Sequence, residues 1–341
     1  MELAINMEFL NKFDFEFIYS NTDATDIFAP APFPASAGWT EQWRNIGTLS
    51  STVFEAALTG KILQSGNLNW TSMLLFDRIR QKITKLDIPP FTTGPGPNSI
   101  PSFYVEEGIE FGVNYGDRFL RSLEDLATQL GAEESVTDYT LNSDGYVILK
   151  GTEGTLLEAP VKLKDSDYGL VRKVPIGDAN PDFNLRWSNT VSFKGFSVYA
   201  LLDWKQGGDV YNMTRHWAYR DNRGAEMDQY GKPENEKKTI DYYQILYNVA
   251  SVNSHFVEDG TYLKVREIAL YYTLDRSDLS NIFGGFFKSI RVGASGRNLW
   301  TFTKYSGYDP EVASGEATNQ FYDSYSYPNF RTMTGSLQFT F

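Results

Sequence analysis

Gly335-Ser-Leu-Gln-Phe-Thr-Phe341 is a strand of strict alternation, with Leu337, Phe339 and Phe341 on one face and Ser336, Gln338 and Thr340 on the other. It is reached through a polar loop from Ser289-Ile-Arg-Val-Gly-Ala-Ser-Gly-Arg-Asn-Leu-Trp-Thr-Phe-Thr303. Soluble domains seldom finish on an aromatic-tipped strand without a polar tail. A closed membrane barrel does, because its last strand pairs with its first.

The same period of two runs upstream. Leu3, Ile5, Met7 and Phe9 alternate with polar residues, as do Phe13, Phe15, Phe17 and Tyr19. A tight turn at Asn11-Lys12 sets Phe9 against Phe13 and Met7 against Phe15 on one face. A second hairpin runs over 45–63 and 67–86, turning at Gln64-Ser-Gly66, with Phe54, Ala56, Leu58, Ile62, Leu68, Trp70, Leu74 and Phe76 on its apolar face. At about 3.3 Å per residue, arms of about 20 residues reach roughly 65 Å, whereas a spanning strand needs about 9–11 residues. Such arms stand clear of a bilayer. The soluble reading of that length is a bulged sandwich strand.

The hairpin over 184–193 and 196–206 has the clearest pattern. A two-residue turn at Lys194-Gly195 pairs Phe193 with Phe196, Val191 with Val198, Trp187 with Leu202, and Leu185 with Trp204. The other face carries Arg186, Ser188, Thr190, Ser192, Asp203 and Lys205. An apolar face with Trp187 and Trp204 near its ends fits a lipid-facing wall with an aromatic girdle. A soluble lipocalin-like barrel shows the same alternation, with shorter loops and a small cavity. Further strands follow over 261–273, where Glu267 breaks the alternation, and over 287–302.

Connections alternate in length: short turns at 10–12, 64–66, 194–195 and 274–286, long excursions at 20–44, 87–182, 207–260 and 303–333. Outer-membrane barrels have short periplasmic turns and long extracellular loops, which places the final strand's end in the periplasm. Within the 87–182 insertion, the apolar spacing of Phe119, Leu120, Leu123, Leu126, Ala127 and Leu130 predicts a short amphipathic helix over 117–130.

Composition supports an all-β chain. Of 341 residues 15% are aromatic, including 24 Phe and 21 Tyr, and 28 Gly punctuate them. The net charge of −12 argues against a nucleic-acid partner. With no cysteine there is no disulfide, thiolate metal site or cysteine nucleophile. No run of about 18 apolar residues offers a transmembrane helix, and the N-terminus lacks a signal peptide's basic and apolar regions. The expected fold is therefore an antiparallel meander of about nine strands. It forms the C-terminal part of a large transmembrane β-barrel whose plug and signal peptide are absent from these residues.

Trp217, Tyr219, Tyr242, Tyr243 and Tyr247, with Tyr322, Tyr325 and Tyr327 beyond them, fall in the expected extracellular loops. Their rings suit sugar stacking or partner anchoring, set against packing of loop on loop. His216 and His255 share one long loop, and without a Gly-x-Ser-x-Gly elbow they are expected to be solvated and not catalytic. Asp221, Glu226 and Asp228 are expected to be solvated loop charge. Arg186, Lys194 and Lys205 are candidates to line the lumen. The loop Asp138-Tyr-Thr-Leu-Asn-Ser-Asp-Gly145 lacks the closing acid of a calcium loop, so no metal or other cofactor is expected.

Four stretches resemble the SusC/RagA type of TonB-dependent outer-membrane transporters of Bacteroidota-like bacteria. They are Ile176-Gly-Asp-Ala-Asn-Pro-Asp-Phe183; Asn189-Thr-Val-Ser-Phe-Lys-Gly-Phe196 continuing to Gln206-Gly-Gly-Asp-Val-Tyr211; Phe256-Val-Glu-Asp-Gly-Thr-Tyr-Leu-Lys264; and the run from Ser295-Gly-Arg-Asn-Leu-Trp300 to Tyr308-Asp-Pro-Glu311. The resemblance implies a Gram-negative outer-membrane barrel of about 22 strands with a plugged lumen. It also implies contact with the TonB complex through a preceding plug, a SusD-like surface lipoprotein as partner, and an oligosaccharide or peptide as substrate. Phe341 resembles the aromatic end recognised during barrel assembly. A surface adhesin or lipoprotein-docking scaffold without transport is the alternative from a different class, and a membrane-barrel hydrolase using His216 and His255 is the third.

Overall fold

The computed structural model describes residues 1–33, 35–93, 103–165, 169–249, 251–275, 279, 286–311 and 322–341. Its largest element is a nine-stranded sheet in which each strand neighbours the next in sequence. The strands are β1 (Glu2–Phe9), β2 (Phe13–Ala24), β3 (Gly47–Ser65), β4 (Leu68–Leu86), β5 (Pro181–Phe193), β6 (Phe196–Gly207), β7 (Tyr262–Asp275), β8 (Ser289–Thr303) and β9 (Thr332–Thr340). All pairings are antiparallel. The sheet is open, with β1 and β9 at its edges.

The alternation read from the sequence sets the register. Phe9 lies opposite Phe13 and Met7 opposite Phe15. Across β5 and β6, Phe193 meets Phe196, Val191 meets Val198, Trp187 meets Leu202 and Leu185 meets Trp204. The turn between β3 and β4 is Gly66-Asn67, since Ser65 pairs with Leu68. Gly66 takes the left-handed conformation there, at φ 55°.

The apolar face is exposed along its length, from Ile5 at 41% to Leu270 at 49% and Phe302 at 59%. Two rows of rings border it. On the long-loop side Tyr19 touches Phe54 at 5.1 Å, Phe76 touches Phe183 at 5.9 Å, and Phe183 touches Trp204 at 5.1 Å. On the short-turn side Phe9 stacks on Phe13 at 5.3 Å and Phe196 on Tyr272 at 4.4 Å, while Phe287 meets Phe341 at 5.2 Å. Trp204 belongs to the loop-side row. Trp187 sits one rung deeper, between Leu74 and Leu202. There its Nε1 donates to Ser72 Oγ at 2.8 Å, and the neighbouring Trp70 Nε1 donates to Asn189 Oδ1 at 3.0 Å. Ser72 and Asn189, polar groups amid apolar neighbours, are thus each satisfied by an indole.

The broken alternation at Glu267 has a physical cause. The register shifts between Val265 and Glu267, so Arg266 is an extra residue in β7 relative to β6. Leu263 and Val265 therefore share the apolar face with Ile268, Leu270 and Tyr272. Arg266 and Glu267 both serve the other face, where Glu267 pairs with Arg297 at 3.1 Å.

The helix expected over 117–130 is corrected. Only α1 (Leu123–Ala127) is helical, capped by the Ser122 hydroxyl. Phe119 and Leu120 are extended: Leu120 N–H donates to Val161 O, and its carbonyl accepts from Val147 N–H. The rest of the 87–182 insertion holds a four-stranded sheet, with Val113–Asp117 between Phe103–Val105 and Lys173–Asp178, and a hairpin pairing Tyr139–Leu141 with Val147–Leu149. Most of the 274–286 turn, and 312–321 of the last loop, lie outside the described residues.

Candidate functional site

The two hydrophobic clusters both lie outside the nine strands, in the long connections. The larger gathers Tyr146 and Phe119 of the 87–182 insertion, Tyr211, Tyr219, Tyr242 and Phe256 of the 207–260 loop, and Tyr322 of the last loop. Two short helices position it. In α2 (Met213–Arg220) the Asn212 side chain caps Arg215 N–H, and in α3 (Ile240–Leu246) the Thr239 hydroxyl caps Tyr242 N–H. Three of the four long connections, 87–182, 207–260 and 303–333, thus form one folded cap at one end of the sheet, while the first holds its own hairpin, Phe28–Pro32 with Glu41–Asn45.

The histidines are not solvated, which corrects the sequence expectation. His216 is fully buried and stacks on Phe256 at 4.6 Å. Its Nε2 faces the Asn248 carbonyl at 2.9 Å, and so carries the proton; Nδ1 accepts from the Tyr211 hydroxyl at 2.9 Å. Burial pushes its pKa down to about 4. His255 is likewise held neutral, by burial first and by the charges of Arg215 and Arg121 second.

A cavity of about 330 Å³ opens in this cap. The buried Tyr146, Tyr219 and Tyr243 line it with His255, Arg121, Asp144, Lys232 and Glu236. Arg215 fixes one wall, with Nε on Glu226 at 2.5 Å and a second nitrogen on His255 Nε2 at 3.1 Å. Glu226 is therefore a half-buried ion-pair partner and not loose loop charge. Asp221 pairs on the surface with Arg220 at 2.8 Å, and Asp228 accepts from Tyr230 N–H.

A charged clamp ties the cap to the polar face of the sheet. Lys264, 2% exposed, reaches Asp309 at 2.5 Å and Glu311 at 2.8 Å. Arg266 bridges Glu311 and Asp203, both at 2.5 Å. Arg186 joins the network at 3.5 Å from Asp203. Removing one member of such a desolvated set leaves its partner unpaired. Of the three expected lumen cations, Arg186 and Lys205 are on this face, and Lys205 is buried. Lys194 occupies the short turn, with Nζ 5.2 Å from the Phe193 ring.

The predicted loop aromatics divide by burial. Tyr219, Tyr242, Tyr243 and Tyr322 are buried and pack loop on loop. Trp217 is half-buried beneath Arg220 at 4.6 Å, while Tyr325 and Tyr327 are exposed. Phe341 is exposed and in ring contact with Phe286 and Phe287. Sequence reading missed Arg121, Asp144, Tyr146, Arg215 and Lys232 as one cavity. The single local signal lay in the loop tested for calcium, where Asn142 Oδ1 accepts from both Asp144 and Tyr146 N–H and turns Tyr146 inward. Among the described residues no group of acidic or histidine side chains is arranged to hold a metal.

No family model matches the chain. Over 357 aligned residues it is 27% identical to TonB-dependent receptor P3 of Formosa agariphila, covering 98% of this chain and 33% of that protein. TonB-dependent receptor P39 of the same organism is 24% identical, with 89% of this chain and 31% of that protein covered. Among solved structures, the RagAB peptide importer in its closed-closed state superimposes with a TM-score of 0.71 at 20% identity, over all of this chain and 35% of that one. The chain spans about a third of the length of these relatives. It is similar to the TonB-dependent receptors along nearly its whole length, and its open nine-stranded sheet has the fold of part of the solved barrel, as the resemblance of its motifs implied.

Proposed function

We propose that this chain supplies the C-terminal part of the wall, with its extracellular cap, of a Gram-negative outer-membrane barrel. That barrel imports a bulky nutrient, an oligosaccharide or a peptide, with TonB-coupled energy. The observation that carries the reading is the sheet's division of labour. One face is a broad exposed apolar surface bordered by ring rows at both ends, while the other holds a charged clamp under a folded cap. A wall between lipid and an aqueous lumen needs that division. Trp204 then belongs to the outer girdle with Trp187 just inside it, and Phe341 serves the assembly step. Peptide gains weight from the relative solved as a peptide importer. A SusD-like lipoprotein would sit over the exposed part of the cap, where Tyr325 and Tyr327 are open to a ligand or partner and Trp217 is half-covered by Arg220.

The reading assigns no reaction. The ring nitrogens of His216 and His255 are committed to tyrosines, the Asn248 carbonyl and Arg215. The test is deletion of the native gene in its own organism, followed by uptake of labelled oligopeptides and oligosaccharides. Loss of one class, restored by the intact gene, is expected. Unchanged uptake of both with lost surface adhesion would sink import in favour of a docking scaffold.

A further inference from the structure

We propose that the cap cavity is a binding site for a single carboxylate group. The import reading is needed only to say where that carboxylate comes from.

The argument starts from proton placement. Arg215 can only donate, and its terminal nitrogen lies 3.1 Å from His255 Nε2, so that ring nitrogen is the acceptor. The neutral ring therefore carries its proton on Nδ1, which donates to the Tyr146 hydroxyl at 2.7 Å. Arg121 donates to the same oxygen at 2.8 Å, with its guanidinium 4.3 Å over the Tyr146 ring. Both lone pairs of that oxygen are taken. The Tyr146 O–H has no protein acceptor among the described residues, and it lines the cavity.

Two cations with capacity to spare line the same cavity, Arg121 in contact with this hydroxyl and Lys232 beside Tyr243. Arg121 also donates to the Asp144 carbonyl, and Lys232 Nζ donates to the Glu226 carbonyl and the Tyr243 hydroxyl. Neither has a carboxylate partner among the described residues, whereas Arg215 at the back is neutralised by Glu226 and Glu258. A free O–H, a guanidinium and an ammonium around one opening are what a two-oxygen anion requires. The cavity volume of about 330 Å³ accommodates one or two residues of a ligand.

The surroundings narrow the class. Asp144 and Glu236 also line the opening. They repel a polyanion and tolerate a lone carboxylate on a neutral or cationic body. A peptide's C-terminus and a uronic acid ending a neutral oligosaccharide share that chemistry, and the acids favour the peptide.

The experiment is calorimetric titration of the full-length native protein in detergent. One pair of probes is an oligopeptide with a free C-terminus and its C-terminal amide. The other is a uronate-ended neutral oligosaccharide and its methyl ester. Binding of the free acid at least about tenfold tighter than its capped twin is expected, with Arg121→Gln and Lys232→Met each removing most of that difference. Tyr146→Phe should weaken the acid alone, and unchanged protease protection of the cap shows that it still folds. Equal binding of acid and capped twin, or a preference that survives Arg121→Gln and Lys232→Met, overturns the site. Uptake without carboxylate dependence defeats this proposal and leaves import standing. Carboxylate binding without any uptake does the reverse.

Discussion

The wall and the cap draw on the same aromatic residues and solve opposite problems with them. On the wall the rings point out: Phe9, Phe196 and Phe302 are 42%, 50% and 59% exposed. In the cap Tyr211, Tyr242 and Phe256 are fully buried. Chemistry follows the surroundings. Middle rungs of the wall carry aliphatic side chains, phenylalanine or tryptophan, rings and chains with no hydroxyl, and the indoles of Trp70 and Trp187 find an amide and a hydroxyl to bond. Cap rings are mostly tyrosine, and their hydroxyls bind His216, His255, Asp144, Asp323 and backbone carbonyls. Tyr247 and Tyr322 are exceptions, each with a buried hydroxyl left unpartnered among the described residues. A protein interior can supply such partners and a lipid tail cannot. The wall takes its solvent for a core, while the cap must build one.

Four perturbations break or sharpen this contrast, the largest first. Phe256→Ala empties the centre of the cap and should cost about 3–5 kcal/mol there. Limited proteolysis should then cut within 207–260 while the sheet keeps its β circular-dichroism signal; loss of both together would mean that wall and cap fold as one. Ile268→Arg places a charge amid the apolar face, opposite Ala200. It should destabilise the barrel by about 2–4 kcal/mol in a urea titration in lipid. Thr190→Arg, at a similar level on the polar face, should be near neutral, and equal costs would mean that the apolar face does not meet lipid.

The third perturbation is pH. His216 has a folded pKa of about 4 against an unfolded value near 6.5. Its contribution is intact above pH 6.5 and is lost as pH falls toward 4, at up to about 1.4 kcal/mol per unit. Protease protection of the cap should fade over that window, less steeply in His216→Asn; a flat profile would contradict the buried neutral ring. Smallest is Tyr327→Ala. At 91% exposed it should shift stability by less than about 0.5 kcal/mol, so any larger change in uptake or partner binding marks a contact surface.

The wall was legible because its information is local. Period-two alternation and two-residue turns fix register within a few residues, as at Phe9 with Phe13 and Phe193 with Phe196. It became opaque at Arg266, where an inserted residue exchanges the faces and looks like noise. The cap was hidden because its contacts join distant positions: Asn142 with Tyr242, Arg215 with His255, and Lys238 with the buried Glu158. Helical spacing misled at Phe119 and Leu120 because an extended segment buried among several neighbours also reads as clustered apolar residues.

The seven tryptophans divide along the same boundary. Trp70, Trp187, Trp204 and Trp300 are on the wall's apolar face, while Trp39, Trp43 and Trp217 lie in the long connections. Fluorescence from the first group should be open to quenching by brominated acyl chains, and that from the second to quenchers dissolved in water. Because Trp187 and Trp70 are tied to Ser72 and Asn189, their orientation is fixed as well as their depth. The protein thus carries an optical ruler for its own immersion, readable without a label.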